Sequence, residues 1–393
     1  MEQNGHDVIV FSMENEKNYY SRFENYFVKS IDYNDNKSFK KIKNGLKVIY
    51  SAEAYKKLTQ LIKDTKPDIA HVNMFCHQLT PSIFYALKKA GIPVVYTSHN
   101  YKLVCPNYKL LSHNNVCKKC IKGSYRHCLA NSCHKDSRAA SGIVTLEAYI
   151  YRLLNTYRIM GRIICPSKFM YDTLKEAGYR EDRLVMLHNF LSRDIFSTGA
   201  SLVKRNKNNT ILYFGRLSDE KGIDTLLDAR KKIPGEVKIK FIGTGPMEAY
   251  IKDRIEKEGL ENIELAGFVS GQPLYDEISL AKCTVISSKW YEVFGLTIIE
   301  SFAVGTPVIG SDIGGISELI KPGRTGYLFE TGNAEELSLC INMLLSLDEE
   351  NYEVMVHNCI SESFKYSPDT YYNKLMNVYG EVVKQKTDAL EII

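Results

Sequence analysis

Short runs rich in β-branched residues alternate with helix-period stretches along the whole chain, and this alternation narrows the fold more than any other feature. In the first half, Val8–Phe11, Ile69–Val72, Val94–Ser98 and Ile163–Pro166 read as strands, with helical patterns at Ala52–Asp64 and Pro81–Ala90. In the second half, Thr210–Phe214, Val237–Ile242, Ile263–Ala266, Cys283–Ser287 and Pro307–Ser311 repeat the pattern. Helical stretches at Gly222–Lys232, Met247–Glu258, Leu296–Val304 and Ala334–Ser346 separate them. Strand, helix and strand in succession build parallel sheets covered on both faces. A length of 393 residues exceeds what one core usually supports. The strand-like Leu184–Leu187 gives way to HNFLSRDIF and then to a polar stretch over 201–209, which places the boundary at 190–208. The expected fold is α/β: two doubly wound, Rossmann-like domains, 1–190 and 191–367, with an inter-domain cleft, and a last helix within 368–393. Ligands of such sheets lie beyond the carboxyl ends of the strands, so the cleft is the expected site.

Two segments of the second half carry chemistry. In LYFGRLSDEKGIDTLLDA (212–229), Arg216 and Lys221 flank a turn after a strand, where two cations can neutralise a diphosphate as it leaves a sugar. The loop has no Gly-Lys-Ser/Thr ending and is not a Walker P-loop; alone, it is equally readable as a structural surface loop. In KWYEVFGLTIIESFAVGTPVIGSDIGGISELI (289–320), Gly295 lets backbone approach a ligand, and the exposed amides of the helix that follows favour a phosphate. Glu300, one turn into that helix, can accept from a ribose diol, and Glu292 from sugar hydroxyls. The plainer alternatives are a dipole partner for Glu300 and a solvated loop charge for Glu292.

GRLSDEKG, FIGTGP (241–246), AGFV (266–269) and the glutamate pair of EVFGLTIIE, followed by GTPVIGSDIGGISELI and GRTGYLF, resemble family 4 retaining glycosyltransferases in order and spacing. The similarity covers most of residues 94–380. It implies a GT-B fold with a UDP- or GDP-sugar donor in the C-terminal domain. It assigns Arg216 and Lys221 to the diphosphate, Glu300 to the ribose, and Glu292 to the transferred sugar. Gly243 and the backbone at Phe268 and Val269 fall on the nucleotide side, and Phe294, Gly295, Leu296 and Thr297 on phosphate and sugar. The same resemblance places His99, at the end of VVYTSHN, against the donor sugar; a histidine at a strand end is otherwise a structural residue. It implies that the last helix, near Asp369–Lys384, crosses back onto the first domain. It also implies a front-face retaining path in which the leaving phosphate helps deprotonate the acceptor. No Asp-x-Asp motif stands in a plausible loop, so catalysis is expected to need no metal.

Residues 101–137 form a lysine-rich, cysteine-rich insert too long for an ordinary loop. Cys117, Cys120, Cys128 and Cys133 form two close pairs that match a structural zinc site, with Cys105, His127 and His134 as substitutes. Unliganded thiols and a redox disulfide remain the alternatives. Similar segments occur in polysaccharide-building members of the family, which implies a role in binding the acceptor, a saccharide or lipid-linked saccharide.

The net charge of +5 hides an asymmetry: residues 1–190 hold 29 Lys+Arg against 16 Asp+Glu, a balance of +13, and residues 191–393 hold 22 against 30, a balance of −8. A basic first domain suits peripheral contact with an anionic membrane, through Lys40–Lys41, Lys56–Lys57 and Lys88–Lys89, or simply solvated lysines. No nucleic-acid motif is present. No run reaches the ~18 apolar residues of a membrane span, and no signal peptide is visible, so a cytoplasmic location is expected. Family members begin with a strand, a Gly-Gly loop and a helix that this sequence enters after, so a catalytically impaired nucleotide-sugar-binding remnant is the competing expectation. A phosphorylase or an epimerase fits the motifs less well.

Overall fold

A computed structural model of the chain describes residues 1–30, 47–196 and 207–391, with side chains to residue 385. Two parallel sheets organise it. The first has the order β1-β2-β5-β6, from Ala70–Val72 (β1), Val94–Thr97 (β2), Arg162–Cys165 (β5) and Leu184–Met186 (β6). Helices Ala52–Thr65 (α1) and Ser82–Lys89 (α2) flank it, and their buried faces join Phe75, Phe84, Tyr96 and Ile163 in one core. Ser51 caps α1 by accepting from the Ala54 amide at 3.1 Å, the stop signal that separates this helix from the preceding chain.

Val8–Phe11, expected as a strand, is not one. It pairs with no strand of the sheet; the nearest ladder contact is an isolated bridge between Met13 and Val28. Ile9 and Phe11 pack on the first core as side chains instead, so the apolar run is explained by burial without a ladder.

The second sheet has six parallel strands in the order β12-β11-β10-β7-β8-β9. They are Asn208–Phe214 (β7), Lys238–Ile242 (β8), Ile263–Leu265 (β9), Ala281–Ile286 (β10), Val308–Ser311 (β11) and Gly326–Phe329 (β12). The order reverses between β7 and β10, and a doubly wound sheet opens its ligand crevice at such a point. The apolar runs that end β7 and β10 follow from burial on both faces, whereas β8 alternates lysine and isoleucine before its buried Phe241 and Ile242. Helices Ile223–Ala229 (α6), Glu248–Glu258 (α7), Gln272–Leu280 (α8), Leu296–Ala303 (α9), Ile316–Leu319 (α10), Ala334–Leu345 (α11) and Glu349–Ser363 (α12) cover it.

The insert contains a small hairpin, Leu111–Ser112 (β3) with Asn115–Val116 (β4), then helix Arg126–Ala130 (α3). Helix Arg138–Leu153 (α4) and helix Lys168–Glu176 (α5) complete the first domain. The last helix, Pro368–Glu391 (α13), lies back on the first sheet, where Leu375, Val378, Tyr379 and Val382 cluster with Val95, Ile164 and Leu187. No helix among the described residues is long and apolar enough to cross a membrane.

Candidate active site

The site begins where β7 ends. Gly215, Arg216 and Leu217 run alongside Gly243 and Thr244 at the end of β8, joined by the Leu217 amide to the Thr244 carbonyl at 3.0 Å. Gly243 has φ +141° and faces the Gly215 carbonyl so closely that a Cβ would come within 1.9 Å of it; no other residue fits there. The next turn, Asp219–Lys221, ends at Gly222 with φ +65°, pressed against the Ser287 carbonyl after β10. Ser287 Oγ donates to the Lys221 carbonyl at 3.0 Å and the Lys289 amide to the Glu220 carbonyl at 2.8 Å. The β7 and β10 loops are thus fastened to each other at the switch point.

On this frame Lys221 Nζ lies 2.5 Å from Glu292 Oε1, which also accepts from Ser288 Oγ at 2.8 Å. The two residues assigned separately to diphosphate and sugar therefore form one ion pair. Trp290, the chain's single tryptophan, holds its ring 5.5 Å from Lys221 Nζ. The Glu292 carbonyl accepts from the Gly315 amide at 2.8 Å, which ties this loop to α10. Arg216 is exposed and makes no ion pair among the described residues.

Gly295, with φ +117°, starts α9 without a side-chain cap, so the first amides of this helix face outward unclaimed by a side chain. Leu296 is exposed and Thr297 half-buried beside them. Glu300 follows one turn later. Its carboxylate is largely surrounded by protein yet has no hydrogen bond or ion pair among the described residues, and burial raises its pKa. Phe294 departs from expectation. Its side chain is buried in the second domain's core against the rings of His188 and Tyr366, because the loop turns inward there, and only its backbone borders the site. Val269 also packs inward, whereas its neighbour Phe268 is 74% exposed beyond β9.

The first domain faces these groups. His99 stands at the rim after β2, with Nε2 3.3 Å from Asn73 Oδ1, and partial desolvation lowers its pKa. Three rings also meet in the first domain, with His134 among rings and not among metal ligands: His77 is 5.6 Å from Tyr108 and 5.8 Å from His134, centroid to centroid. Burial, then the Lys102 charge, hold His77 at about 3 and His134 at about 4, so both are neutral at pH 7. Arg216 and Glu220 of the second domain act electrostatically on Tyr108, so this trio looks across to the donor loops. The insert's hairpin reaches over as well: Asn114 at its tip donates to the Asp219 carboxylate. Lys118 sits 4.8 Å from the Phe169 ring, which stacks on Tyr291 at 4.6 Å. Little in the sequence flagged these partners, because each contact joins residues at least 26 positions apart, on different loops or elements.

The zinc expectation is corrected. Among the described residues no group of three or more His, Cys, Asp or Glu side chains is placed to hold a metal ion. Cys120 and Cys128 are buried in a cluster with Tyr125, Val144 and Ala148. Cys133 turns to Cys128 and to Ser112 Oγ, 3.6 Å away, and Cys117 and Cys133 act electrostatically on Cys120, so the thiols neighbour one another as free thiols without forming a metal-holding set.

Comparison with known proteins agrees with this architecture. Residues 1–194 match the pattern described as Glycosyltransferase Family 4, and residues 196–361 that described as Glycosyl transferases group 1. The solved structure of Anabaena HepE, in complex with UDP and glucose, superposes with a TM-score of 0.55 at 19% identity, over 86% of this chain and 82% of that one. The fold is GT-B. The GT-B chain is 30% identical over 225 residues to an uncharacterised glycosyltransferase of Methanocaldococcus jannaschii, covering 56% of this chain and 60% of the relative. It is 24% identical to the O-antigen chain mannosyltransferase C of Escherichia coli, over 46% of this chain and 48% of that one. The chain thus spans roughly half the length of these curated relatives.

Proposed function

We propose that this GT-B protein is a retaining, metal-independent glycosyltransferase that moves a sugar from UDP- or GDP-sugar to a saccharide or lipid-linked saccharide in cell-surface polysaccharide synthesis. The observation that carries it is Glu300: a partly desolvated carboxylate without a hydrogen-bond or ion-pair partner among the described residues, one turn behind uncapped helix amides. A half-buried carboxylate with no donor among the described residues has open acceptor capacity, and a ribose diol supplies two donors. The amides of α9 and the two cations supply the countercharge for a diphosphate. Exposed Phe268 offers a face for the base. UDP in the HepE complex and the polymer made by the E. coli relative support the donor and acceptor classes.

In the reaction so read, the bond from the sugar's anomeric carbon to the phosphate oxygen breaks while the acceptor hydroxyl forms its bond on the same face. The hydroxyl proton passes to the departing diphosphate, which leaves as the nucleoside diphosphate. Lys221 releases part of its hold on Glu292 as the phosphate arrives, freeing that carboxylate for sugar hydroxyls. His99 borders the sugar. Neutral His77 and His134, with Tyr108, offer hydrogen bonds to the acceptor.

A thermal-shift screen of UDP-, GDP- and ADP-sugars tests the donor reading, since a ligand of the native state raises its melting temperature. A shift with UDP- or GDP-sugars is expected, persisting in EDTA and abolished in Arg216→Ala. No shift with any of them contradicts the reading. A shift without transfer to any saccharide favours the non-catalytic remnant.

A further inference from the structure

Helix α4 shows solvent a face that no soluble surface requires. Between Arg138 and Arg152 its one charged residue is Glu147, which is buried and paired with Lys102. The outward stripe is apolar: Leu146 is 52% exposed, Tyr149 41% and Leu153 81%, with Leu154 following at 58%. Three- and four-residue spacing sets them in one row. Leu129 of α3 extends the row beside Gly142. An exposed helix face is ordinarily polar, and a contiguous apolar patch marks an interaction site.

The border of this patch is cationic. Lys122, Arg126, Arg152 and Arg158 are exposed around it. The acidic residues of the neighbouring loop, Glu181 and Asp182, are engaged by Lys175 and Arg180. Just past Leu154 opens a cavity of about 450 Å³, floored by tyrosines that include Tyr125 and Tyr157 and edged by Arg152, Arg158 and Arg183. Arg183 Nη1 donates to the Arg158 carbonyl at 2.8 Å, which fixes the Arg183 guanidinium against the Arg158 backbone at the cavity edge. None of these residues has a hydrogen bond, ion pair or ring contact to the second domain among the described residues.

We propose that this face docks on an anionic bilayer: the leucine row enters the headgroup–acyl boundary, and the arginines at the cavity mouth take a lipid phosphate. Apolar residues lying in the interface plane with cations beside them are the pattern of such contacts, and guanidinium pairs suit phosphate oxygens. A second copy of the chain on the same patch would set arginine against arginine, which disfavours a two-fold self-interface. The inference does not rest on the donor-site reading.

Flotation of the full chain with vesicles tests it, comparing phosphatidylcholine alone with an equal mixture of phosphatidylcholine and phosphatidylglycerol. Wild type is expected on the mixed vesicles only. Leu146→Glu with Leu153→Glu should abolish binding while leaving melting temperature and any donor-induced shift unchanged. Arg152→Ala and Arg158→Ala should each weaken partitioning roughly fivefold, and soluble glycerol phosphate should compete only partly. Absence of wild-type binding to mixed vesicles overturns the proposal, as does binding that survives the double glutamate variant or is fully displaced by glycerol phosphate. A wild-type dimer that the glutamate variant splits, seen by light scattering, overturns it in favour of self-association.

Discussion

Glu300 links burial to binding at the level of one side chain. Burial raises its pKa, so the folded state prefers it protonated relative to the unfolded chain. The stability this contributes is present below the unfolded-state pKa and is lost as pH rises through the raised folded value. At neutral pH the ionised carboxylate is therefore a cost, held for use. Glu300→Gln is expected to raise the melting temperature at pH 7 while losing most transfer activity. Donor hydroxyls stabilise the ionised form, so wild-type donor affinity should fall as pH drops through the raised pKa, whereas the glutamine variant should show a flat, weak profile. Calorimetric titration across pH checks both; unchanged affinity in the variant would remove Glu300 from the site. Lys102 and Glu147 present the opposite case, a pair 2.6 Å apart with side chains 1% exposed. Lys102→Met should cost about 3–5 kcal/mol by stranding the carboxylate, and adding Glu147→Leu should restore much of it in urea unfolding.

Among the elements, α5 shows how the domains engage. Ser167 accepts from the Met170 amide at 3.1 Å, while the Lys168 and Phe169 amides donate to Glu318 of α10, in the other domain, at 2.7 and 2.5 Å. A helix start in one domain is thus capped by a carboxylate from its neighbour. Glu318→Ala should lower stability by about 1 kcal/mol and enlarge the radius of gyration in X-ray scattering; an unchanged radius would mean other contacts set the closure. The elements themselves were largely legible in sequence. Apolar runs bounded by Gly and Ser, as at the ends of β7 and β10, mark strands because burial on both faces leaves no alternation to confuse, while β8 is marked by the alternation of Lys238, Ile239, Lys240 and Phe241 itself. Val8–Phe11 misled because an apolar run records burial and not pairing. GRLSDEKG and EVFGLTIIE were readable because their glycines and charges lie within one loop each. Glu318, Asn114 and the ring trio His77, Tyr108 and His134 were not, since their partners are set by how distant loops meet. Phe294 misled for a related reason: a motif position does not say which way a side chain turns. Lys40 and Lys41, candidates for membrane contact, lie outside the described residues, as does most of the 201–209 stretch. Lys57 is turned inward to the Phe27 carbonyl and its acidic neighbours Glu14 and Glu53.

For the whole molecule, α13 joins the halves. It buries Leu375, Val378, Tyr379 and Val382 on the first sheet, each worth about 1.5–3 kcal/mol. Tyr379 also meets His71 Nδ1 at 2.6 Å, and His71 Nε2 meets Thr97 Oγ1 at 2.7 Å. Removing residues 368–393 should expose Val95, Ile164 and Leu187 and drive aggregation; a monomeric truncated chain on size exclusion with an unchanged melting temperature would refute that role.

Because the covering helix of the first sheet is encoded at the far end of the chain, the order of synthesis and the order of completion disagree. The ribosome delivers β2 and β5 long before the segment that shields them, and the entire second domain must emerge in between. One apolar side of the early domain therefore waits uncovered throughout translation, so a nascent chain stalled before α13 would be a ready client for holding chaperones.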